Sequence, residues 1–399
     1  MAETIPRRLR RVWALDDLEP RARAFLPRPV FAYVSGTTER GATSRDVRVA
    51  FDALMLKPRV LVGVAARDQS AVLFGERWAA PFGIAPMGMC ALAAYRGDRM
   101  LAAAAREAGI PMVVSATALT RLEEIAELYP RAWFQAYVPG ETERIGRLLD
   151  RVAAAGFGTL VVTVDLPVAS NAEHYQRAGF SSPVRPSLRL LAQGAVRPAW
   201  SLGTFLRTLA LHGMPHFENS HAERGAPILA RQAAREFGRR AHLDWSHIAA
   251  IRAHWQGRLI VKGMVAPEDA RIAAGEGADA VWLSVHGGRQ LDGAVAPLRM
   301  LAETVALCPG LPVILDSDIR RGTDALKALA LGAHLVFVGR PMLYAAALGG
   351  QRGVAHAIGI LRDEIDRNLA LLGVRTLDEL GPQHLVAVGP HAPPVRQAS

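Results

Sequence analysis

Residues 284–292 read Ser-Val-His-Gly-Gly-Arg-Gln-Leu-Asp, which sets the imidazole of His286 and the guanidinium of Arg289 three positions apart. The apolar run before them, 278–283, reads as a buried strand. An imidazole that accepts a proton, beside a guanidinium that grips a carboxylate, could deprotonate an acidic substrate while holding it in place. Two glycines let the backbone turn tightly between the two side chains, and a loop leaving a strand end is where a scaffold presents reactive groups. The plain alternative is a core histidine satisfied by a carbonyl. Against it stands Asp165, which closes another apolar run in Thr163-Val164-Asp165-Leu166-Pro167. A buried carboxylate there could orient His286 and stabilise its protonated form, although an aspartate in that place also serves as a turn former or helix cap.

Further constellations share the strand-end setting. Lys262 closes Leu259-Ile260-Val261-Lys262-Gly263, in a chain with 44 arginines and only three lysines. A compact ammonium so placed suits a preorganised electrostatic role, such as stabilising negative charge on a cofactor ring; the alternative is a surface lysine snorkelling off the strand. Gln135 and Tyr137 alternate in Trp133-Phe134-Gln135-Ala136-Tyr137 and so share a side of one strand. Either they face the barrel interior or they pack under helices, and an amide and a phenol need polar partners that a dry layer does not offer. Two loops, Asp316-Ser317-Asp318-Ile319-Arg320-Arg321-Gly322-Thr323-Asp324 and Gly339-Arg340-Pro341, combine glycine with arginine. They are either ordinary turns or a phosphate cradle built from backbone N–H groups and basic side chains.

The elements that must position these groups are eight short apolar runs, at 82–86, 112–115, 133–137, 159–165, 259–262, 280–284, 313–316 and 335–338. Between them lie segments with helical spacing, such as 99–108, 142–155, 267–274 and 323–330. The alternation predicts an α/β fold, a parallel (β/α)8 TIM barrel whose reactive residues sit at the C-terminal ends of the strands. Residues 1–60 read as a helical lead-in able to cap one barrel mouth, with Gly36 and Gly41 breaking its helices. The barrel is expected over 61–375 and a C-terminal tail over 376–399. Residues 171–245, between the fourth and fifth strands, far exceed the roughly two to six residues of an ordinary connection and read as a functional or mobile loop.

With 399 residues, 50% of them hydrophobic and 21% charged, the chain can bury one large core. Its two cysteines, Cys90 and Cys308, and an N-terminus unlike a signal peptide favour a reducing compartment, so a cytoplasmic location is expected. No uncharged apolar run reaches the roughly 18 residues of a membrane span. The net charge of +10 could attract nucleic acid or an anionic membrane surface. The arginine-for-lysine bias reads instead as compositional drift, and no interleaved aromatic and basic platform accompanies it, so no nucleic-acid partner is expected. Residues 171–245 hold ten arginines against five acidic residues, together with Trp200, Leu202, Phe205, Leu206, Leu209, Met214 and Phe217. That mixture fits either contact with a membrane surface or a lid packed on its own barrel.

Over residues about 25–375 these segments resemble the FMN-dependent α-hydroxy-acid oxidase and dehydrogenase family, whose members include glycolate oxidase, lactate dehydrogenase and mandelate dehydrogenase. The stretch 286–292 is the most specific part, supported by 133–137, 163–165, 261–263, 316–324, Ile84-Ala85-Pro86 and 339–341. The resemblance implies oxidation of a small L-2-hydroxy acid, lactate- or mandelate-like, to the 2-oxo acid. It implies that His286 takes the hydroxyl or α-carbon proton with support from Asp165, and that Arg289, Tyr137 and Tyr33 hold the carboxylate. FMN would lie over the barrel mouth, its ring against the backbone of Pro86, Met87 and Gly88 and the side chains of Ser115, Gln135, Thr163, Lys262 and Ser284. Asp316, Arg320, Gly339 and Arg340 would take the ribityl chain and phosphate, and no metal is implied. A homotetramer is what the family suggests.

Gly88 looks more like the mandelate-type dehydrogenases than the oxidases, which tend to carry alanine there. The segment 185–215 resembles the long fourth loop of membrane-associated members, implying electron transfer to a quinone or other carrier and a peripheral position on the inner face of the cell membrane. Three residues depart from the family pattern. Ala172 stands where an arginine usually touches the substrate carboxylate, with Arg177 or His174 as potential replacements; Val285 replaces an asparagine; Asp318 replaces a glycine in the phosphate loop. These departures motivate the alternative of a flavin-binding barrel with lost or altered activity. An oxidase using O2 is the other alternative.

Overall fold

The eight apolar runs form eight parallel strands: β1 (Phe82–Ile84), β2 (Val113–Ser115), β3 (Trp133–Ala136), β4 (Thr159–Thr163), β5 (Arg258–Met264), β6 (Ala280–Leu283), β7 (Val313–Leu315) and β8 (Leu335–Val338). The chain is seen in a computed structural model that describes residues 5–138, 141–181, 185, 187–230, 240–389 and 392–395. Consecutive strands pair from β2 to β8, and β8 returns to β1. The remaining seam is drawn shut by an Ile84–Met112 bridge, where the Ile84 N–H donates to the Pro111 carbonyl at 2.9 Å. Every residue of β1–β4 and β6–β8 is buried, as expected of a parallel sheet covered by helices. This is the (β/α)8 barrel that the alternating pattern predicts.

The helical spacings at 99–108, 142–155, 267–274 and 323–330 become helices Gly97–Ala108, Thr142–Ala154, Pro267–Gly275 and Gly322–Ala330. Proline at the start of Pro267–Gly275 and Pro297–Leu307 supplies a preset φ where no N–H is needed. Aromatic rings from three strands lock the core: Trp282 lies 4.2 Å and Trp133 5.4 Å from Phe337, centroid to centroid.

The N-terminal lead-in forms helices Leu18–Phe25, Arg28–Ser35 and Ala42–Asp52, the second ending at Gly36 and the third entered from Gly41. It docks on the loop after β6. The Thr38 N–H donates to the Gly288 carbonyl at 3.1 Å, and the Asp292 carboxylate accepts the N–H groups of Arg40 and Thr43 at 3.1 and 3.0 Å. The C-terminal tail is tied back as well, because Leu385–Ala387 pairs antiparallel with Leu54–Leu56.

The connection after β4 carries helices Glu173–Ala178, Leu188–Ala195, Pro198–Trp200 and Arg207–His212. The Trp200 indole N–H anchors it by donating to the Leu92 carbonyl at 2.9 Å, and Phe205 stacks on that indole at 5.8 Å. Leu188, Leu191, Val196, Leu202, Leu206 and Leu211 of this connection remain exposed, Leu188 at 86%.

Candidate active site

At the C-terminal end of β6 the backbone enters the left-handed region for three residues in a row: His286 at φ 53°, Gly287 at 65° and Gly288 at 74°. The two glycines take this shape freely, and a Cβ at Gly288 would come within 2.2 Å of Ser44 Oγ. For His286 such a φ costs on the order of 1–3 kcal/mol and must be held by its surroundings. Its N–H donates to Ser284 Oγ at 3.0 Å, and Nδ1 lies 3.2 and 3.3 Å from the two oxygens of Asp165, just beyond β4. On the other side of the ring, Nε2 is 3.4 Å from Tyr137 Oη. Burial, and then the Asp165 carboxylate, push the Tyr137 phenol well above its ordinary range, so it stays a neutral phenol here.

Arg289 reaches back under the lead-in. Its guanidinium donates to the Val34 carbonyl at 3.0 Å, to the Tyr33 carbonyl at 2.5 Å and to Tyr175 Oη. Burial opposes its charge, yet the phenols of Tyr175, Tyr33 and Tyr137 hold its pKa above the usual value. Tyr33 comes from helix Arg28–Ser35, donates to the Gly88 carbonyl at 3.2 Å and stacks on Phe180 at 4.8 Å.

These groups open onto a cleft of about 620 Å³ whose walls include Tyr33, Pro86, Met87, Gly88, Tyr137, Lys262, His286, Arg289, Asp316, Arg320, Gly339 and Arg340. Asp165, Ser115, Gln135, Thr163 and Ser284 do not line it. Asp165 stands behind His286, and the other four are buried at strand ends. Lys262 is 3% exposed, 2.9 Å from Asp316 Oδ2, and donates to Ser284 Oγ at 2.7 Å. It is therefore no snorkelling surface lysine. Ser115 Oγ donates to Gln135 Oε1 at 2.9 Å, while Gln135 Nε2 and Thr163 Oγ1 are buried with no hydrogen-bond partner among the described residues. Orphaned buried donors and acceptors are costly, and together with Lys262 they suit the polar edge of a planar heteroaromatic ring.

The loops after β7 and β8 bring two more cations. Burial, then the nearby charges of Arg289 and Arg320, press the pKa of Arg340 down, which an anion between them would relieve. Arg340 donates to the Gly36 carbonyl at 3.3 Å and to that of Gly287. The Asp318 carboxylate meets Arg320 at 2.8 Å, so the residue that departs from the phosphate-loop pattern is paired with one of the cations of that loop. With paired arginines, backbone at Gly339 and the orphaned strand-end groups, the residues present fit a flavin mononucleotide.

Two site residues escaped the sequence. Tyr175 binds Arg289, and Arg240 lies over the Tyr137 ring at 4.8 Å. Both come from the long connection, where one arginine among ten carries no distinguishing pattern. Neither potential substitute for an arginine at Ala172 reaches the cleft: Arg177 pairs with Glu173, and the His174 ring packs against Gly36, where a Cβ would lie 1.6 Å from Nε2. Ala172 itself lines the cleft with a methyl group, and Val285 is buried, its N–H donating to Ser317 Oγ at 3.2 Å.

The family model for FMN-dependent dehydrogenases matches residues 22–387. The chain is 36% identical over 378 residues to (S)-mandelate dehydrogenase of Pseudomonas putida, covering 93% of each. It is 35% identical over 378 residues to L-lactate dehydrogenase of Ectopseudomonas mendocina, covering 94% of this chain and 98% of the other. The crystal structure of the monotopic membrane protein (S)-mandelate dehydrogenase superposes with a TM-score of 0.87 at 35% identity, over 95% of this chain and all of that one. A mandelate oxidase structure superposes with a TM-score of 0.78 at 33% identity, over 94% of this chain and 97% of that one.

Proposed function

Because the chain belongs to the FMN-dependent dehydrogenase family, we propose that it oxidises an L-2-hydroxy acid, mandelate- or lactate-like, to the 2-oxo acid and passes the electrons to a quinone or another carrier. The observation that carries this reading is the row Asp165–His286–Tyr137 opening onto the same cleft as Arg289. Donation of Nδ1–H to Asp165 fixes the tautomer that leaves Nε2 free to accept a proton, and the carboxylate then stabilises the imidazolium that forms. A guanidinium has five N–H donors; three of those on Arg289 are engaged by Val34, Tyr33 and Tyr175, which leaves Nε–H and one Nη1–H for single hydrogen bonds to a substrate. Tyr33 and Tyr137, both neutral phenols, complete the grip.

FMN, when bound, supplies the acceptor for the two electrons that leave the substrate. Pro86, Met87, Gly88, Ser115, Gln135, Thr163, Lys262 and Ser284 would hold its ring. Asp316, Arg320, Gly339 and Arg340 would hold its ribityl chain and phosphate. A dehydrogenase rather than an oxidase is favoured by the resemblance of Gly88 to the mandelate-type dehydrogenases; a Cβ there would come within 2.2 Å of Thr117 Oγ1 and 3.0 Å of Tyr33 Oη.

The exposed leucines of the long connection, with Arg197 and Arg207 among them, support a peripheral position on the inner face of the cell membrane. Among the described residues no helix is long and apolar enough to cross a bilayer. A homotetramer completes the reading. The test is product analysis with mandelate, lactate and longer 2-hydroxy acids in the presence of a quinone analogue. Formation of the matching 2-oxo acid from one L-enantiomer is expected; absence of any 2-oxo acid across the panel rejects the assignment.

A further inference from the structure

No step of the proposed reaction uses Asp98, yet this acid sits where two walls of the cleft are anchored. It is the second residue of helix Gly97–Ala108 and is 1% exposed. Thr120 Oγ1 donates to its Oδ2 at 3.2 Å, and the Leu119 N–H adds a bond from the same loop after β2. From the loop after β1 comes the Cys90 thiol, which burial and then Asp98 itself push well above its ordinary range, so it stays a neutral donor. One carboxylate thus ties together the two loops that present Gly88 and Thr117 on the cleft wall. Those loops meet closely: the Met89 N–H donates to the Thr117 carbonyl at 3.0 Å. The start of the helix is pressed against the same turn, since a Cβ at Gly97 would lie 2.6 Å from the Cys90 carbonyl.

Cys90 carries the link onward. Its Sγ lies 3.2 Å from the Met87 carbonyl and is also hydrogen-bonded to Asp98, and a thiol has one hydrogen to give. An ionised Asp98 takes that hydrogen in preference to a neutral carbonyl, because a charged acceptor forms the stronger bond. Once Asp98 is protonated the preference is lost and the thiol turns to Met87, whose backbone is part of the proposed FMN floor. Burial, against the pull of Thr120 and Cys90, raises the Asp98 pKa from an ordinary 3.8 to about 6. Of the cations on its own turn, Arg96 is taken up by Glu124 and Arg99 lies 3.6 Å from that same carboxylate.

We propose that Asp98 is a positioning residue for the flavin: its ionised carboxylate, acting through Cys90, Leu119 and Thr120, holds the loops after β1 and β2 in the arrangement that grips the FMN ring. The inference rests on the FMN reading of the cleft. It adds a residue that does not line the cleft and reaches the cofactor only through its neighbours.

FMN release from the loaded full chain is followed by flavin fluorescence on dilution, at pH values on both sides of about 6. Asp98→Asn keeps the shape and loses the charge, and should raise the FMN dissociation constant roughly 10-fold on the alkaline side, the loss of a charge-assisted hydrogen bond. In the wild type the constant should rise as pH falls through about 6, because the ionised form is the one that grips the ring. The variant should lose that part of the rise; the FMN phosphate titrates alike in both proteins. Cys90→Ala should cost a similar factor and Cys90→Ser, which keeps a donor, much less. The losses of Asp98→Asn and Cys90→Ala should not add when combined, whereas two residues serving packing separately would give additive losses. If Asp98→Asn does not fold, Thr120→Val, which removes one donor at constant shape, is read in its place. An FMN affinity and pH profile that match the wild type, or fully additive losses, overturn the proposal. A wild-type chain that takes up no FMN overturns the cofactor assignment and this role together. FMN held in this Asp98-dependent way without oxidation of any hydroxy acid rejects the assigned reaction and keeps the role.

Discussion

His286 carries three constraints at once: a left-handed backbone, an Asp165 carboxylate on Nδ1 and the Tyr137 phenol on Nε2. Only the second was legible from sequence, because an aspartate and a histidine each ending a strand of one barrel must converge at its mouth. The backbone strain was hinted at by the two glycines that follow. Tyr175 and Arg240 were not legible, since their positions depend on the path of a long connection whose residues show no strand or helix period tied to the barrel. If His286 is the base, His286→Ala should slow flavin reduction by about 100- to 10,000-fold while FMN stays bound. Rapid-mixing absorbance on FMN-loaded protein measures this, and a rate within a few-fold of wild type would remove His286 from the role.

At the scale of elements, all eight strands were legible because a fully buried parallel strand is a short, nearly continuous apolar run bounded by turn residues. The return of 385–387 to pair with 54–56 was not, as a three-residue edge strand has too little pattern to be read. Helix Glu173–Ala178 is seated by His174, whose ring fills the space left open at Gly36. Burial first, then Arg289, Arg340 and Arg177, press the His174 pKa down to about 4 from an ordinary 6.5. Between those values the unfolded chain takes up a proton that the folded one refuses, so stability should fall as pH drops from about 6.5 toward 4. His174→Gln should flatten that slope in thermal unfolding followed across the window; an unchanged slope would place the acid sensitivity elsewhere. The helices between Leu188 and His212 lend a second test. Replacing Leu188, Leu191 and Leu202 together with serine should release the protein from anionic vesicles in a sedimentation assay without lowering dye-linked turnover. Undiminished vesicle binding would mean that this face does not meet lipid.

The whole molecule is a barrel whose C-terminal mouth is roofed by its own lead-in, so that Tyr33 from near the N-terminus and Arg289 from the sixth loop hold one another across the site. Half of the net charge of +10 falls within residues 171–245 of the sequence, the stretch that also carries the exposed leucines. In the proposed reading the orphaned Gln135 and Thr163, the buried Lys262–Asp316 pair and the arginines after β7 and β8 would hold one ring-and-phosphate ligand beside one proton acceptor. The most direct measurement is anaerobic mixing of the FMN-loaded protein with a panel of L-2-hydroxy acids while the flavin absorbance is followed. Bleaching by at least one mandelate- or lactate-like acid, stoichiometric with 2-oxo acid formed, is the expected result; a flavin spectrum unmoved by every acid would contradict the account.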